Sequence, residues 1–112
     1  MKLRKKPELL APAGTYENAE VALLYGADAI YQGLEGFSLR HGKKSEVDLA
    51  DIKKTIKLCK KNNKKYYLAF NIFAHNEDIR ELETILPKLK KLDIDAFIVS
   101  DPGFIQILRQ QI

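Results

Sequence analysis

The side chains able to do chemistry in this 112-residue sequence cluster in three short stretches. Gln32, Glu35, Arg40 and His41 fall between Gln32 and Val47. Asn71 and His75 belong to FNIFAHN, and Ser100 and Asp101 open SDPG. His75 is a candidate base or ligand, but one histidine with one nearby carboxylate is not a metal centre, so no metal is expected. A Ser100–His75–Asp101 triad can be written down, yet adjacent serine and aspartate do not reach opposite ends of one histidine. Asp101 stands before Pro102, where a helix cap is the first reading and a catalytic carboxylate the second. Asn71 interrupts an apolar run, and an amide there needs partners, in a core or on a ligand. Arg40 can clamp a carboxylate or phosphate through two parallel hydrogen bonds. The catalytic candidates are thus Asn71, His75 and Asp101, and the substrate-binding candidates Gln32, Arg40 and Ser100.

The elements that must position these residues alternate between strand and helix. Glu8–Ala11 reads as an apolar strand bounded by Pro12 and Gly14. A helix follows from Tyr16 to Tyr25, capped by Thr15, favoured by Glu17 at its positive end and burying Ala19, Ala22 and Leu23. Gly26 sits where a helix-stopping left-handed residue is wanted. Ala27–Tyr31 makes a second strand, and Gln32–Val47 a loop longer than the roughly 12 residues usual for a segment that binds nothing. In the next helix, Asp48–Asn62, the positions Leu49, Ile52, Ile56 and Cys59 form one inward stripe, which makes Cys59 a buried structural thiol rather than a nucleophile. Tyr66–Phe73 is a third strand. The third helix starts near Glu77 with Ile79, Leu82, Leu86 and Leu89 inward and a kink or restart at Pro87. Ala96–Val99 is the fourth strand, and Pro102 opens a fourth helix carrying Phe104, Ile105 and Leu108, capped by Ser100 or Asp101.

Such a β-α-β-α-β-α-β-α order demands parallel strands joined by crossover helices. With 112 residues in four units, each unit averages 28, close to the roughly 31 per unit of a full eightfold barrel. The expected fold is therefore α/β, the N-terminal half of a TIM-like barrel. The alternative is a small open doubly wound sheet, but no glycine-rich dinucleotide or phosphate-loop pattern follows any strand. In a barrel the reacting groups come from the C-terminal strand ends, which is where all six candidates lie.

Composition narrows the function classes. The chain is 46% hydrophobic and 30% charged, as in a globular domain. No run approaches the roughly 18 apolar residues of a membrane span. The basic opening lacks the apolar stretch of a signal peptide, so a cytoplasmic location is the default expectation. The single cysteine excludes an internal disulfide and a cysteine-built cluster from this chain alone. Net charge is +4. Its excess sits in a tail (Lys2, Arg4, Lys5, Lys6) and in seven lysines between Lys53 and Lys65. Such clusters are first a solvated helix face and a frayed terminus, and second a surface for RNA.

Three phrases, PELLAPAGTYENAEVALLYGADAIYQGLEGFSLR, AFNIFAHNEDIRELE and DAFIVSDPGF, resemble peptidase family U thirty-two, the collagenase-like proteases, over about residues 7–105. The resemblance implies an N-terminal TIM-like barrel. It also implies one of two activities: proteolysis, including of collagen, or support of hydroxylation of tRNA bases, rRNA bases or a ubiquinone precursor. In the hydroxylating members an iron–sulfur cluster is held by cysteines well downstream of the matched region, so none of its ligands is expected here. The family's cysteine-containing signature is absent. Gly36–Arg40 fits the family phrase, while His41–Val47 departs from the usual continuation ending in Asn-Phe.

The resulting expectations are a basic lead-in over residues 1–7 and a partial barrel over 8–112, truncated at its C-terminal side. Proteolysis by resemblance is the main reading, with RNA-base or ubiquinone-pathway hydroxylation and an RNA-binding module as alternatives. The substrate partner is RNA or peptide and no membrane is involved. The chain is expected to be inert alone and to self-associate through its exposed sheet edges.

Overall fold

A computed structural model describes residues 6–33, 44–70 and 76–111. Four strands alternate with four helices: β1 Leu10–Pro12, α1 Tyr16–Leu24, β2 Ala29–Gly33, α2 Lys44–Lys61, β3 Lys65–Phe70, α3 Asn76–Lys90, β4 Ala96–Val99 and α4 Pro102–Gln111. The strands form one parallel sheet in the order β1-β2-β3-β4. This is the α/β half-barrel that the sequence pattern calls for.

Local chemistry explains where the elements start and stop. The Thr15 hydroxyl accepts from the Asn18 N–H at 3.1 Å and caps α1. At the other end Gly26 takes φ 103°. The Ala27 N–H then reaches the Ala22 carbonyl and the Gly26 N–H the Leu23 carbonyl, closing the helix with a double bond pattern. The same closure ends α2, with Asn63 at φ 57° in place of glycine and the Lys64 N–H on the Cys59 carbonyl at 2.8 Å.

Alternation along the strands separates two faces. Ile30, Tyr66, Leu68 and Phe70 face the helices and pack with Ile52, Ile56, Cys59, Leu82, Leu86, Leu89, Phe104 and Leu108. Leu49 of the α2 stripe is partly buried against them. Phe70 stacks on Phe97 at 5.8 Å and meets Phe104 edge-on at 6.1 Å. The opposite face carries Ala29, Tyr31, Tyr67, Ala69 and Ile98, which is the inward face of a barrel.

Several expected boundaries move. β1 and β2 each begin two residues later than the apolar runs suggest. The Leu9 N–H goes to the Asp28 side chain while its carbonyl takes the N–H groups of Asp28 and Ala29, and Ala27 belongs to the closure of α1. Pro12 is tolerated inside β1 because β1 is an edge strand. Helix α2 starts at Lys44, inside the expected loop, since a first turn needs no apolar stripe to be helical. Pro87 brings no restart: α3 is a single helix to Lys90, held on both sides of the proline by buried Leu86 and Leu89. Ile105 is 40% exposed, so the inward face of α4 is Phe104 and Leu108. The expected strand residues Asn71, Ile72 and Phe73 lie outside the described residues.

Candidate functional site

The C-terminal strand ends are brought level by the strand register. Pro12 pairs with Tyr31, Gly33 with Ala69, and Phe70 with Val99. The Ala13 N–H continues the ladder to the Tyr31 carbonyl at 2.9 Å. Beyond β4 the chain turns through Ser100 and Asp101 into α4.

Asp101 caps that helix. Its Oδ2 accepts from the Phe104 N–H at 3.1 Å, and its carbonyl takes the first helical bond, from the Ile105 N–H at 3.0 Å. A Cβ on Gly103 would stand 3.0 Å from Asp101 Oδ2, so the missing side chain at 103 gives the carboxylate its room. Ser100 is exposed beside it. The two therefore sit together at the mouth of the sheet, with Asp101 already engaged by backbone.

Gln32 sits differently. It is 4% exposed on the helix-covered face, where the Tyr66 hydroxyl donates to its Oε1 at 2.7 Å. Burial pushes the Tyr66 phenol well above its ordinary range, so this hydroxyl stays a neutral donor. Gln32 is thus not brought to Ser100 and Asp101. Arg40, Asn71 and His75, with Glu35 and His41, lie outside the described residues.

Sequence reasoning did not find the pairs made on the other face and at the other end of the sheet. The Tyr67 hydroxyl donates to Glu8 Oε1 at 2.9 Å and Oε2 at 3.1 Å, and the Glu8 bond holds the phenol above its usual value. The signal was the doublet Tyr66-Tyr67: adjacent strand residues face opposite ways, so one tyrosine is buried and the other looks inward. At the N-terminal strand ends Asp28 Oδ2 accepts from the Leu9 N–H at 2.8 Å, with Lys64 Nζ 3.7 Å from Oδ1. Asp95 Oδ2 accepts from the Tyr66 N–H at 2.8 Å and from Lys60 Nζ at 2.9 Å. The Leu9 N–H is the main cause of the lowered Asp28 pKa. For Asp95 desolvation pulls upward, but the Tyr66 N–H and the Lys60 ammonium outweigh it and the carboxyl titrates low.

Among the described residues no group of three or more His, Cys, Asp or Glu converges as a metal site would require. No described helix is long and apolar enough to cross a membrane.

The sequence profile of peptidase family U32 matches residues 14–112. The chain belongs to that family. It is 39% identical over 108 residues to tRNA hydroxylation protein P1 of Bacillus subtilis, covering 96% of this chain and 25% of that protein. It is 33% identical over 94 residues to a collagenase of Porphyromonas gingivalis, covering 84% of this chain and 23% of the collagenase. A third relative is the 23S rRNA 5-hydroxycytidine synthase of Escherichia coli, 31% identical over 100 residues, covering 89% of this chain and 15% of the synthase. The chain spans about a quarter or less of the length of these curated relatives. No solved structure matches it significantly.

The iron–sulfur cluster implied for hydroxylating relatives needs several thiolates. This U32 chain offers Cys59 alone, 0% exposed on the inward stripe of α2. Desolvation pushes its thiol up to about 11, away from the thiolate that a metal binds. The donor set here does not fit such a cluster.

Proposed function

We propose that this chain is the opening half-barrel of an RNA-base hydroxylation protein of family U32. The match to a tRNA hydroxylation protein carries the reading: it is both longer and higher in identity than the match to the collagenase. A barrel supports the role because it gathers loops at the C-terminal strand ends, where a base turned out of an RNA can be met from several units at once. In this reading Ser100 and Asp101, with Arg40, Asn71 and His75 from the adjoining segments, form part of the substrate-facing rim. Gln32 supports that rim from below through Tyr66.

Residues 8–112 work as one partial barrel behind the lead-in of 1–7, and the chain is inert by itself. Its strand edges, with Leu9 54% exposed beside β1 and Ile98 36% exposed on β4, promote self-association when it is isolated. Sedimentation of the purified chain should show dimers or larger species; a stable monomer would remove that part of the proposal. Proteolysis remains the second reading, supported by the collagenase match.

Nucleoside mass spectrometry of tRNA and rRNA separates the two. Cells lacking the gene that encodes this chain should lose a nucleoside one oxygen atom heavier than its parent and regain it on complementation. Unchanged nucleosides, together with loss of gelatin-degrading activity, would replace hydroxylation by proteolysis.

A further inference from the structure

The seven lysines between Lys53 and Lys65 are not equivalent. Lys60 Nζ lies 2.9 Å from Asp95 and 3.5 Å from Asp93, Lys64 is 3.7 Å from Asp28, and Lys65 is 4.0 Å from Glu8. Lys54 Nζ stands over the Tyr16 ring at 4.7 Å. These four are committed within the fold. Lys53, Lys57 and Lys61 are exposed, with no acidic partner among the described residues.

The spacing of these three lysines places them on one line. Steps of four residues recur along the same helix face and rise about 6 Å each. Buried Ile52, Thr55, Ile56 and Cys59 occupy the inward face of α2, so the row points away from the core. Helix polarity does not account for it. The favourable field for a cation is confined to the last turn, which in α2 holds Lys60 and Lys61. Lys53 and Lys57 stand earlier, where uncompensated like charges four apart cost helix stability. A row of mutually repelling ammonium groups with no acidic partner among the described residues is what a polyanion would neutralise.

We propose that Lys53, Lys57 and Lys61 on the outer face of α2 contact successive phosphates of the RNA substrate, holding it while its base is presented at the barrel mouth. The proposal rests on the RNA reading above and adds to it a surface on the outside of the sheet–helix layer. Contacts of this kind position the RNA without reading its sequence, and each one releases a counterion.

The test is binding of an unmodified tRNA transcript to the full chain, followed by fluorescence anisotropy over a salt series. Lys53→Glu/Lys57→Glu/Lys61→Glu should weaken binding at least tenfold and make the log–log salt slope shallower by about 2–3. An equal charge reversal on α3 and the turn after it, Lys88→Glu/Lys90→Glu/Lys91→Glu, should leave the slope near that of the parent. Circular dichroism verifies that both variants fold, and Lys53→Gln/Lys57→Gln/Lys61→Gln gives the same answer without introducing repulsion.

Equal losses in the α2 and α3 variants would overturn the proposal by reducing it to net charge. So would undiminished binding by the α2 variants, no tRNA binding by the parent at low salt, or binding that goes to anionic vesicles instead. None of these outcomes decides whether the protein hydroxylates RNA. That reading stands or falls on the nucleoside mass spectrum of the deletion strain.

Discussion

At the N-terminal ends of the strands, Asp28 and Asp95 do the same job twice. Each precedes a strand, reaches back to a backbone N–H at the start of the neighbouring strand, and takes a lysine from the end of α2 or the turn after it. At the C-terminal ends the described polar groups are fewer and unlike one another: a capping aspartate beside an exposed serine, and a glutamine turned under the helices. The lower end repeats because at both places an N–H beside a strand start lacks a backbone acceptor and takes a carboxylate instead. Among the described residues the upper end shows no shared solution of this kind. In the function proposed above, stability and substrate handling occupy opposite ends of the same strands.

The contrast is open to attack, and the largest effect should come from the layer that both ends share. Phe104→Ala removes a ring that is 0% exposed and edge-on to Phe70. It should cost about 3–5 kcal/mol in urea unfolding; a loss under about 1 kcal/mol would mean that α4 is not part of the frame.

Asp95→Ala leaves the Tyr66 N–H without its acceptor and Lys60 with Asp93 alone, 3.5 Å away. Discounted for its partial exposure, the change should cost about 1–2 kcal/mol. Because Asp28 and Asp95 titrate below the ordinary 3.8, the folded state binds fewer protons than the unfolded one as pH falls. Their stabilisation is full above that ordinary value and is lost as pH drops through the folded pKa. The urea midpoint should fall in acid, less steeply in Asp95→Asn than in the parent; identical acid limbs would contradict the lock.

Tyr66→Phe deprives Gln32 Oε1 of its buried donor and should cost about 1–2 kcal/mol. Adding Gln32→Met should recover much of it, since removing both partners leaves nothing unpaired. Failure of the double variant to recover would give Gln32 a duty beyond Tyr66.

The smallest effect is at the upper end. Asp101→Ala should cost about 1 kcal/mol through the lost cap, whereas Asp101→Asn should stay within a few tenths because asparagine caps as well. If Asp101→Asn keeps its melting temperature yet abolishes tRNA hydroxylation by a chimera of this chain with Bacillus subtilis tRNA hydroxylation protein P1, the carboxylate acts on substrate as well as on α4.

How much of this was legible in the sequence depends on how local the cause is. Thr15 as a cap, Gly26 as a stop and the Ile52–Ile56–Cys59 stripe are short-range features, and each takes the place its spacing indicates. Asp101-Pro102-Gly103 announced a helix start in the same way. The locks at Asp28 and Asp95 were not legible, because each joins residues 19 or 29 apart that meet only once the strands are side by side. Gln32 illustrates the limit of reading faces from a loop boundary. Placed one residue past a strand it would look toward the site, but β2 runs on to Gly33 and its register with Leu68 turns the side chain to the helices. Arg40, Asn71 and His75 lie outside the described residues.

The most direct test of the account replaces the matching quarter of Bacillus subtilis tRNA hydroxylation protein P1 with this chain and measures hydroxylated nucleoside in the cell's tRNA. A folded, fully expressed chimera that still hydroxylates tRNA is the predicted result. The same chimera present at parental level with unhydroxylated tRNA would contradict it.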